Sequence, residues 1–396
     1  MTRSAAEIYL DNNATTAIDP AVARVIHEAM LAGPANASSQ HAIGQTARSV
    51  LDDAVERIGR CLGSDLNRPG GPRLIVTSGG TESNNLALTG IAAPDAPIVV
   101  SAVEHPSVLA VALAMNRADG AGPRREIRLI PVLPSGVVDV DRLADLIGGE
   151  GTGRAKAGLV SVMSANNETG VIQPTAEVAK ICRWKNVPLH IDATQSIGKV
   201  PFAVHASGAS AVSFSPHKFH GPTGVGGLWL DAGVKLSPML RGGEQQLLTR
   251  PGTEPVALVV GMAEALQIAT ANLVDFAAHA QSLRDRLETR LAEACPNSVI
   301  HGHGRQRLPT TTCVSLIGCD RQTMLMALDV AGIACSSGSA CSSGSSPPSH
   351  VLTAMRCPEN QIDSALRFGV SKFSTQEEIN RAAELISRCN NRLRQM

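Results

Sequence analysis

The sequence predicts an α/β protein: a mostly parallel sheet covered by helices on both faces, with a smaller α+β unit beside it. Three observations carry this expectation. Short apolar runs, each ending in polar or glycine-rich residues, recur between about Arg73 and Leu230. Segments of helical period separate them, such as Thr175 to Lys185 with Val178, Ile181 and Cys182 on one face. Beyond about Gly261 the pattern changes to a long helical stretch, one strand-like run and a closing helix.

Taken in order, RLIVTS, PIVVSA, EIRLIPV, GLVSVMSA, VPLHIDA and SAVSFS read as buried strands. Strands that alternate with helices argue for βαβ units, because a parallel pair needs a crossover. GVGGLWL reads as an added edge strand. In the last third, TTTCVSLI is a strand and Glu377 to Leu393 a helix. At 396 residues the chain is long enough for two to three domains, at roughly 150 residues each. The expected division is a large domain over residues 16–260. A small one joins residues 1–15 to 261–396 and carries a serine- and glycine-rich segment at about 335–349.

Composition excludes several classes. Basic and acidic residues balance at 35 each, so no basic excess favours nucleic acid or an anionic membrane surface. Aromatics make up only 2% of the chain, too few for base-stacking platforms. The opening MTRSAAEIYLDNNATT has no apolar h-region, and no run approaches the ~18 apolar residues of a membrane span. The nine cysteines are scattered and contain no C-x-x-C pair, which suits reduced cytoplasmic thiols and argues against structural zinc. No G-x-G-x-x-G opens a βαβ unit, so a nucleotide-binding dehydrogenase is the weakest option.

In an open α/β sheet, ligands bind beyond the carboxyl ends of the strands, and the notable polar residues fall there. RLIVTSGGTESNN runs a strand into Gly79, Gly80, Thr81 and a helix start, which suits a phosphate but is also a common turn. Asp192 and Gln195 end another strand. There the aspartate either caps a helix or faces a pyridinium nitrogen, with Gln195 on the ring's phenolic oxygen. Ser215, His217 and Lys218 end a third. A lysine closing a buried apolar run has its pKa lowered by desolvation from ~10.4, favouring the neutral amine that forms Schiff bases.

Ten collinear motifs then set the direction: YLDNNATT, NASSQHAIGQTAR, TSGGTESNN, EHPSV, NNETGVIQP, DATQSIGK, SPHKFHGPTGVG, RPGTE, SSGSACSSGSSPPSHVL and LRFGVSKFST. Over nearly its whole length the chain resembles the NifS/IscS-like cysteine desulfurases, within the class-V aminotransferases of the fold-type I pyridoxal-phosphate enzymes. The resemblance implies pyridoxal 5'-phosphate as cofactor, held covalently by Lys218. It assigns Asp192 to the pyridine nitrogen, Gln195 and Asn167 to the phenolic oxygen, and His105 to the ring face. Gly80, Thr81, Ser215 and His217 take the phosphate, with Thr253 reaching it from the second subunit of a homodimer. Arg367 clamps the carboxylate of the substrate, L-cysteine, with Asn167 nearby.

The same resemblance makes Cys341 the sulfur acceptor, on a segment like that of the long-loop (group I) desulfurases. A thiol of ordinary pKa ~8.5 is only slightly ionised at pH 7, so His105 or another base is expected to activate it. The persulfide goes to an acceptor or iron–sulfur scaffold protein, for cluster assembly or thiolation. Four departures stand out. Cys335 lies close before Cys341, as a packed thiol or a resolving partner. Pro216 and Thr223 alter the lysine motif. Glu244 and the pair Leu247 and Leu248 alter a segment expected at the subunit boundary. The chain also ends at RLRQM, without the longer tail some relatives use to dock a scaffold. Rivals are a selenocysteine lyase or aminotransferase, which transamination without a thiol would reveal, and a non-catalytic sulfur-relay subunit.

Overall fold

A computed structural model describes residues 8–34, 36–116, 125–338 and 347–395. Seven strands form the central sheet in the order β2-β8-β7-β6-β5-β3-β4. They are β2 (Arg73–Thr77), β3 (Ile98–Ser101), β4 (Ile127–Ile130), β5 (Leu159–Ser161), β6 (Leu189–Asp192), β7 (Ala211–Phe214) and β8 (Gly226–Leu230). All run parallel except β8, which is antiparallel to both its neighbours.

Alternate side chains of each strand point to opposite faces, and both faces are covered. Val99, Val160, Ile191 and Val212 face a core shared with the helices Ala42–Leu62, Thr175–Lys185 and Val256–Ala271. Ile98, Val100 and Leu159 face the opposite way, against Leu88 of the helix Gly80–Gly90 and Val108 of the helix Pro106–Met115. Ile98, Val99 and Val100 are all fully buried, and burial of such a side chain is worth about 1.5–3 kcal/mol. Continuous apolar runs are what a two-sided sheet requires.

The run GVGGLWL does not form the edge expected for it. β8 lies between β7 and β2, and β2 takes the edge. The reason lies in its glycines. A Cβ on Gly226 would stand 2.5 Å from the Gly79 carbonyl carbon, and one on Gly227 would stand 2.4 Å from the Phe214 ring. Only bare backbone fits between these neighbours.

A second core gathers both ends of the described chain. β1 (Ile8–Tyr9) pairs in parallel with β11 (Ile333–Ala334), and β9 (Ser298–Ile300), β10 (Thr311–Leu316) and β12 (Ala365–Gly369) form an antiparallel sheet ordered β12-β10-β9. Ile8 and Leu10 pack there with Leu287, Val314, Phe368 and Ile386. The long helical stretch is two helices, Val256–Ala271 and Leu273–Ala294, bent by 75° at Asn272. The first packs wholly on the sheet's core, so the boundary expected at residue 260 falls inside it. The closing helix, Gln376–Arg394, starts in a capping box between Thr375 and Glu378. No single helix among the described residues is long and apolar enough to cross a membrane.

Candidate active site

The loops leaving the carboxyl ends of β2, β3, β5, β6 and β7 converge on one cavity of about 190 Å³. It is lined by Gly80, Thr81, Asn84, His105, Ser107, Met163, Ala165, Asn167, Asp192, Thr194, Gln195, Ser215, His217 and Lys218. Nine residues singled out in the sequence therefore meet here: Gly80, Thr81, His105, Asn167, Asp192, Gln195, Ser215, His217 and Lys218. A larger cavity of about 320 Å³ also borders Lys218, but neither Asp192 nor Gly80 lines it.

At one end lies a cradle for an anion. Gly79 precedes the helix Gly80–Gly90 and supplies no side-chain cap, leaving first-turn amides for a ligand. A Cβ on Gly80 would come within 3.3 Å of Thr194 Oγ1 and 3.6 Å of Ser215 Cβ, so glycine keeps that space open. Thr194 Oγ1 is buried and has no partner among the described residues.

The Asp192 carboxylate lines the same cavity. Its Oδ2 accepts from Asn84 Nδ2 at 2.8 Å, and its Oδ1 accepts from the Thr194 amide at 2.9 Å. The amide thus closes a short turn while the second oxygen stays aligned by Asn84. Asn84 Nδ2 also donates to Ser107 Oγ at 2.8 Å, and that hydroxyl lies 2.7 Å from His105 Nδ1. The Ser107 backbone N–H donates to His105 Nδ1 at 3.1 Å, so Nδ1 is unprotonated and the ring proton sits on Nε2. Burial holds the His105 pKa below its usual value, keeping the ring neutral.

Lys218 Nζ donates to the carbonyls of Asn13 and Ala14 at 2.8 and 2.7 Å. Gln195 Nε2 donates to the same Asn13 carbonyl at 3.1 Å, and Gln195 Oε1 accepts from Lys199 Nζ at 2.6 Å. Lys199 therefore settles which end of the Gln195 amide is which. Its own amine is only 3% exposed, and burial, with the nearby Lys218 and Arg367 charges, pushes its pKa well down. Burial, followed by the Lys218 and Lys199 charges, likewise brings His217 down to about 4.

Three expected residues lie elsewhere. Arg367 does not line the cavity. It stands next to it, 3% exposed, with Nη1 donating to the Asn167 carbonyl at 3.3 Å and Nη2 to Asp11 Oδ1 at 2.8 Å. Its buried Nε has no partner among the described residues. Thr253 is exposed and away from this chain's cavity. Cys341 lies outside the described residues. Cys335 packs against the second core, and burial pushes its thiol up to about 12, as for a packed thiol.

Asn84, Ser107, Lys199, Asn13 and Asp11 were not singled out as site residues. Each stands inside a quoted motif; Asn84, Asn13 and Asp11 meet partners far away in sequence, which no local spacing shows, whereas Ser107 and Lys199 bond to His105 and Gln195, two and four residues away.

The aminotransferase class-V family profile matches residues 8–382. A cysteine desulfurase of Sinorhizobium fredii is 38% identical over 391 residues, covering 98% of this chain and 97% of that protein. The cysteine desulfurase IscS of Methanosarcina thermophila is 35% identical, covering 98% and 93%. Among solved structures, a NifS-like protein from Rickettsia africae superposes with a TM-score of 0.86 at 32% identity, covering 97% of this chain and 99% of that one. Such agreement in sequence and in fold over almost the whole length makes this chain an enzyme of the class-V aminotransferase family, in its NifS-like, cysteine desulfurase branch.

Proposed function

We propose that this enzyme uses pyridoxal 5'-phosphate to convert L-cysteine and its own Cys341 thiol into L-alanine and a Cys341 persulfide. The observation that carries the reading is the convergence of Lys218, Asp192, His105 and the Gly80 cradle on one cavity. The residues fit the cofactor: an open anion cradle with a buried, unpartnered Thr194 hydroxyl, and a buried carboxylate lining the same cavity.

Gly80, Thr81, Ser215 and His217 would hold the phosphate, Asp192 the pyridine nitrogen with its proton, and Gln195 and Asn167 the phenolic oxygen. Bound there, pyridoxal phosphate supplies an electron sink for negative charge at the substrate α-carbon. Lys218 Nζ is the covalent anchor and then the base that takes the α-proton. Arg367 receives the substrate carboxylate, for which its unpartnered Nε is available. Cys341 takes the substrate sulfur: an S–S bond forms, the substrate C–S bond breaks, and the carbon left behind gains a proton.

His105 suits a different part from the thiol-activating base suggested by sequence. With Nδ1 occupied by the Ser107 amide, the ring offers a proton from Nε2 and so serves as a donor. A second copy of the chain is the natural source of Thr253. That residue is exposed near Leu247 and Leu248, themselves 79% and 60% exposed, as a subunit boundary would leave them in a single chain. Sulfur then passes to a cytoplasmic acceptor, for iron–sulfur assembly or thiolation.

The test is cysteine-dependent formation of alanine and sulfide under reducing conditions, with wild type beside Cys341→Ser. Activity in the wild type alone is the expected result. Equal activity in both would move the assignment to another reaction of the same family.

A further inference from the structure

Lys199 is buried, yet no carboxylate pairs with it among the described residues. The charges acting on it are those of Lys218 and Arg367, which share its sign. The turn after β6 folds it inward. The Ser196 amide donates to the Ala193 carbonyl and the Lys199 amide to the Ser196 carbonyl, each at 3.0 Å. Between them Gly198, at φ +77°, passes so close to Phe219 that a Cβ would stand 2.7 Å from the Phe219 Cβ. A buried amine among like charges costs stability, and such arrangements collect where function requires them.

The amine has one partner among the described residues, Gln195 Oε1 at 2.6 Å. At its other end Gln195 meets the Asn13 carbonyl, which can only accept, so Nε2 faces it at 3.1 Å. One N–H of Nε2 then remains, on a residue that lines the cavity. Lys218 Nζ donates to the same Asn13 carbonyl at 2.8 Å, so Lys199, Gln195, Asn13 and Lys218 form one hydrogen-bonded chain. Donation to Oε1 polarises the amide and strengthens its N–H groups as donors. Without Lys199, Oε1 is buried without a donor, and the side chain must turn to find one.

We propose that Lys199 is a positioning residue: by holding Gln195 Oε1 it keeps the Nε2 donor on the phenolic oxygen of the cofactor, and so lowers the pH at which the bond between Lys218 and the cofactor gives up its proton. This rests on the reading of Lys218 and Gln195 given above. A donor at the phenolic oxygen stabilises its negative charge and weakens its pull on a proton at the neighbouring nitrogen. The other groups around the two amines are Arg367, His217 and His220, which act with Lys199, and His105 and Asp192, which line the cavity with Lys218.

The test titrates the absorbance of the bound cofactor with pH in holoenzymes: wild type, Lys199→Met, Lys199→Arg, Gln195→Met and the double variant Lys199→Met with Gln195→Met. Lys199→Met should raise the midpoint by about one pH unit, and Gln195→Met by a similar amount. The double variant should go no further than Gln195→Met alone, because both changes remove one donor. Lys199→Arg keeps an N–H for Oε1, with the adjoining cavity of about 320 Å³ to take its bulk, and should stay close to the wild-type midpoint. An unchanged midpoint in Lys199→Met, or shifts that add in the double variant, would overturn the proposal and leave Lys218 and Gln195 in their parts. An unchanged midpoint in Gln195→Met, or a wild-type absorbance band in Lys218→Ala, would overturn the reading beneath it as well. Should Lys199→Met fail to fold, Lys199→Ala, which only enlarges the adjoining cavity, carries the same comparison.

Discussion

Arg367 Nη2 donates to Asp11 Oδ1 at 2.8 Å, and Ser336 Oγ donates to the other oxygen of the same carboxylate at 3.0 Å. Asp11 therefore orients the guanidinium assigned to the substrate and also touches the chain just before Gly338. The other contact of Arg367, to the Asn167 carbonyl, is longer at 3.3 Å, so Asp11 is the stronger restraint. Asp11→Asn should raise KM for L-cysteine roughly tenfold with a smaller change in kcat, as steady-state kinetics would read it. An unchanged KM would mean that backbone alone orients the arginine. Asp11→Ala leaves a buried cation unpaired and should cost about 3 kcal/mol in a denaturant titration.

Lys199 gives a pH signature. Its pKa is depressed in the fold relative to the ordinary ~10.4, so the unfolded chain binds more protons. Stability gained from this group must rise with pH toward the ordinary lysine range and be lowest in acid. Lys199→Met should flatten that rise relative to wild type, measured as unfolding free energy between neutral pH and pH ~10. It should also leave Gln195 Oε1 buried without its donor, at about 1–3 kcal/mol. Parallel curves for the two proteins would show that Lys199 is charged in the fold.

His301 behaves in the opposite pH range. Ser315 Oγ donates to the Gln361 carbonyl, so it accepts from His301 Nε2, and Nδ1 faces the Cys357 thiol. Burial brings this neutral ring down to about 4. The unfolded chain takes up the proton first, so stability is full above pH ~6.5 and is lost as pH falls toward 4. His301→Gln should remove about 2 kcal/mol of the loss between pH 6.5 and 5. If the variant retains the full acid sensitivity, other groups such as His190, His217 and His220, also brought down to about 4, account for it.

Gly226 tests how the sheet supports the anion cradle. An added Cβ would lie 2.6 Å from Gly79 Cα and would push the turn that opens the helix Gly80–Gly90. Gly226→Ala should weaken cofactor retention at least tenfold, read by equilibrium dialysis, and cost about 1–3 kcal/mol of stability. Gly227→Ala, which meets the Phe214 ring instead, should cost stability with a smaller effect on retention. Equal retention in both would separate the cradle from β8.

Much of the site was legible because chemistry collects where buried strands end. Asp192 and Ser215 each close or follow a continuous apolar run, and Lys218 follows three residues later. A polar group there must face either a ligand or a cap. The supporting residues were not legible. Asn84 meets Asp192 across 108 residues, Gln195 meets Asn13 across 182, and Lys218 meets Asn13 across 205. Local spacing carries no trace of such pairs. The position of β8 was misread for a related reason: its glycines mark close approach of neighbours, and which neighbours come close is decided by the sheet order.

By itself the sequence determined the α/β class, the order of the motifs and the family, since periodicity and turn chemistry are local properties. Only the tertiary structure decided that Arg367 leans on Asp11, that Lys218 and Gln195 share the Asn13 carbonyl and that Asn84 meets Asp192. Each joins parts of the chain that lie far apart in sequence. A buried charge or amide must find a partner, and folding alone determines which is within reach.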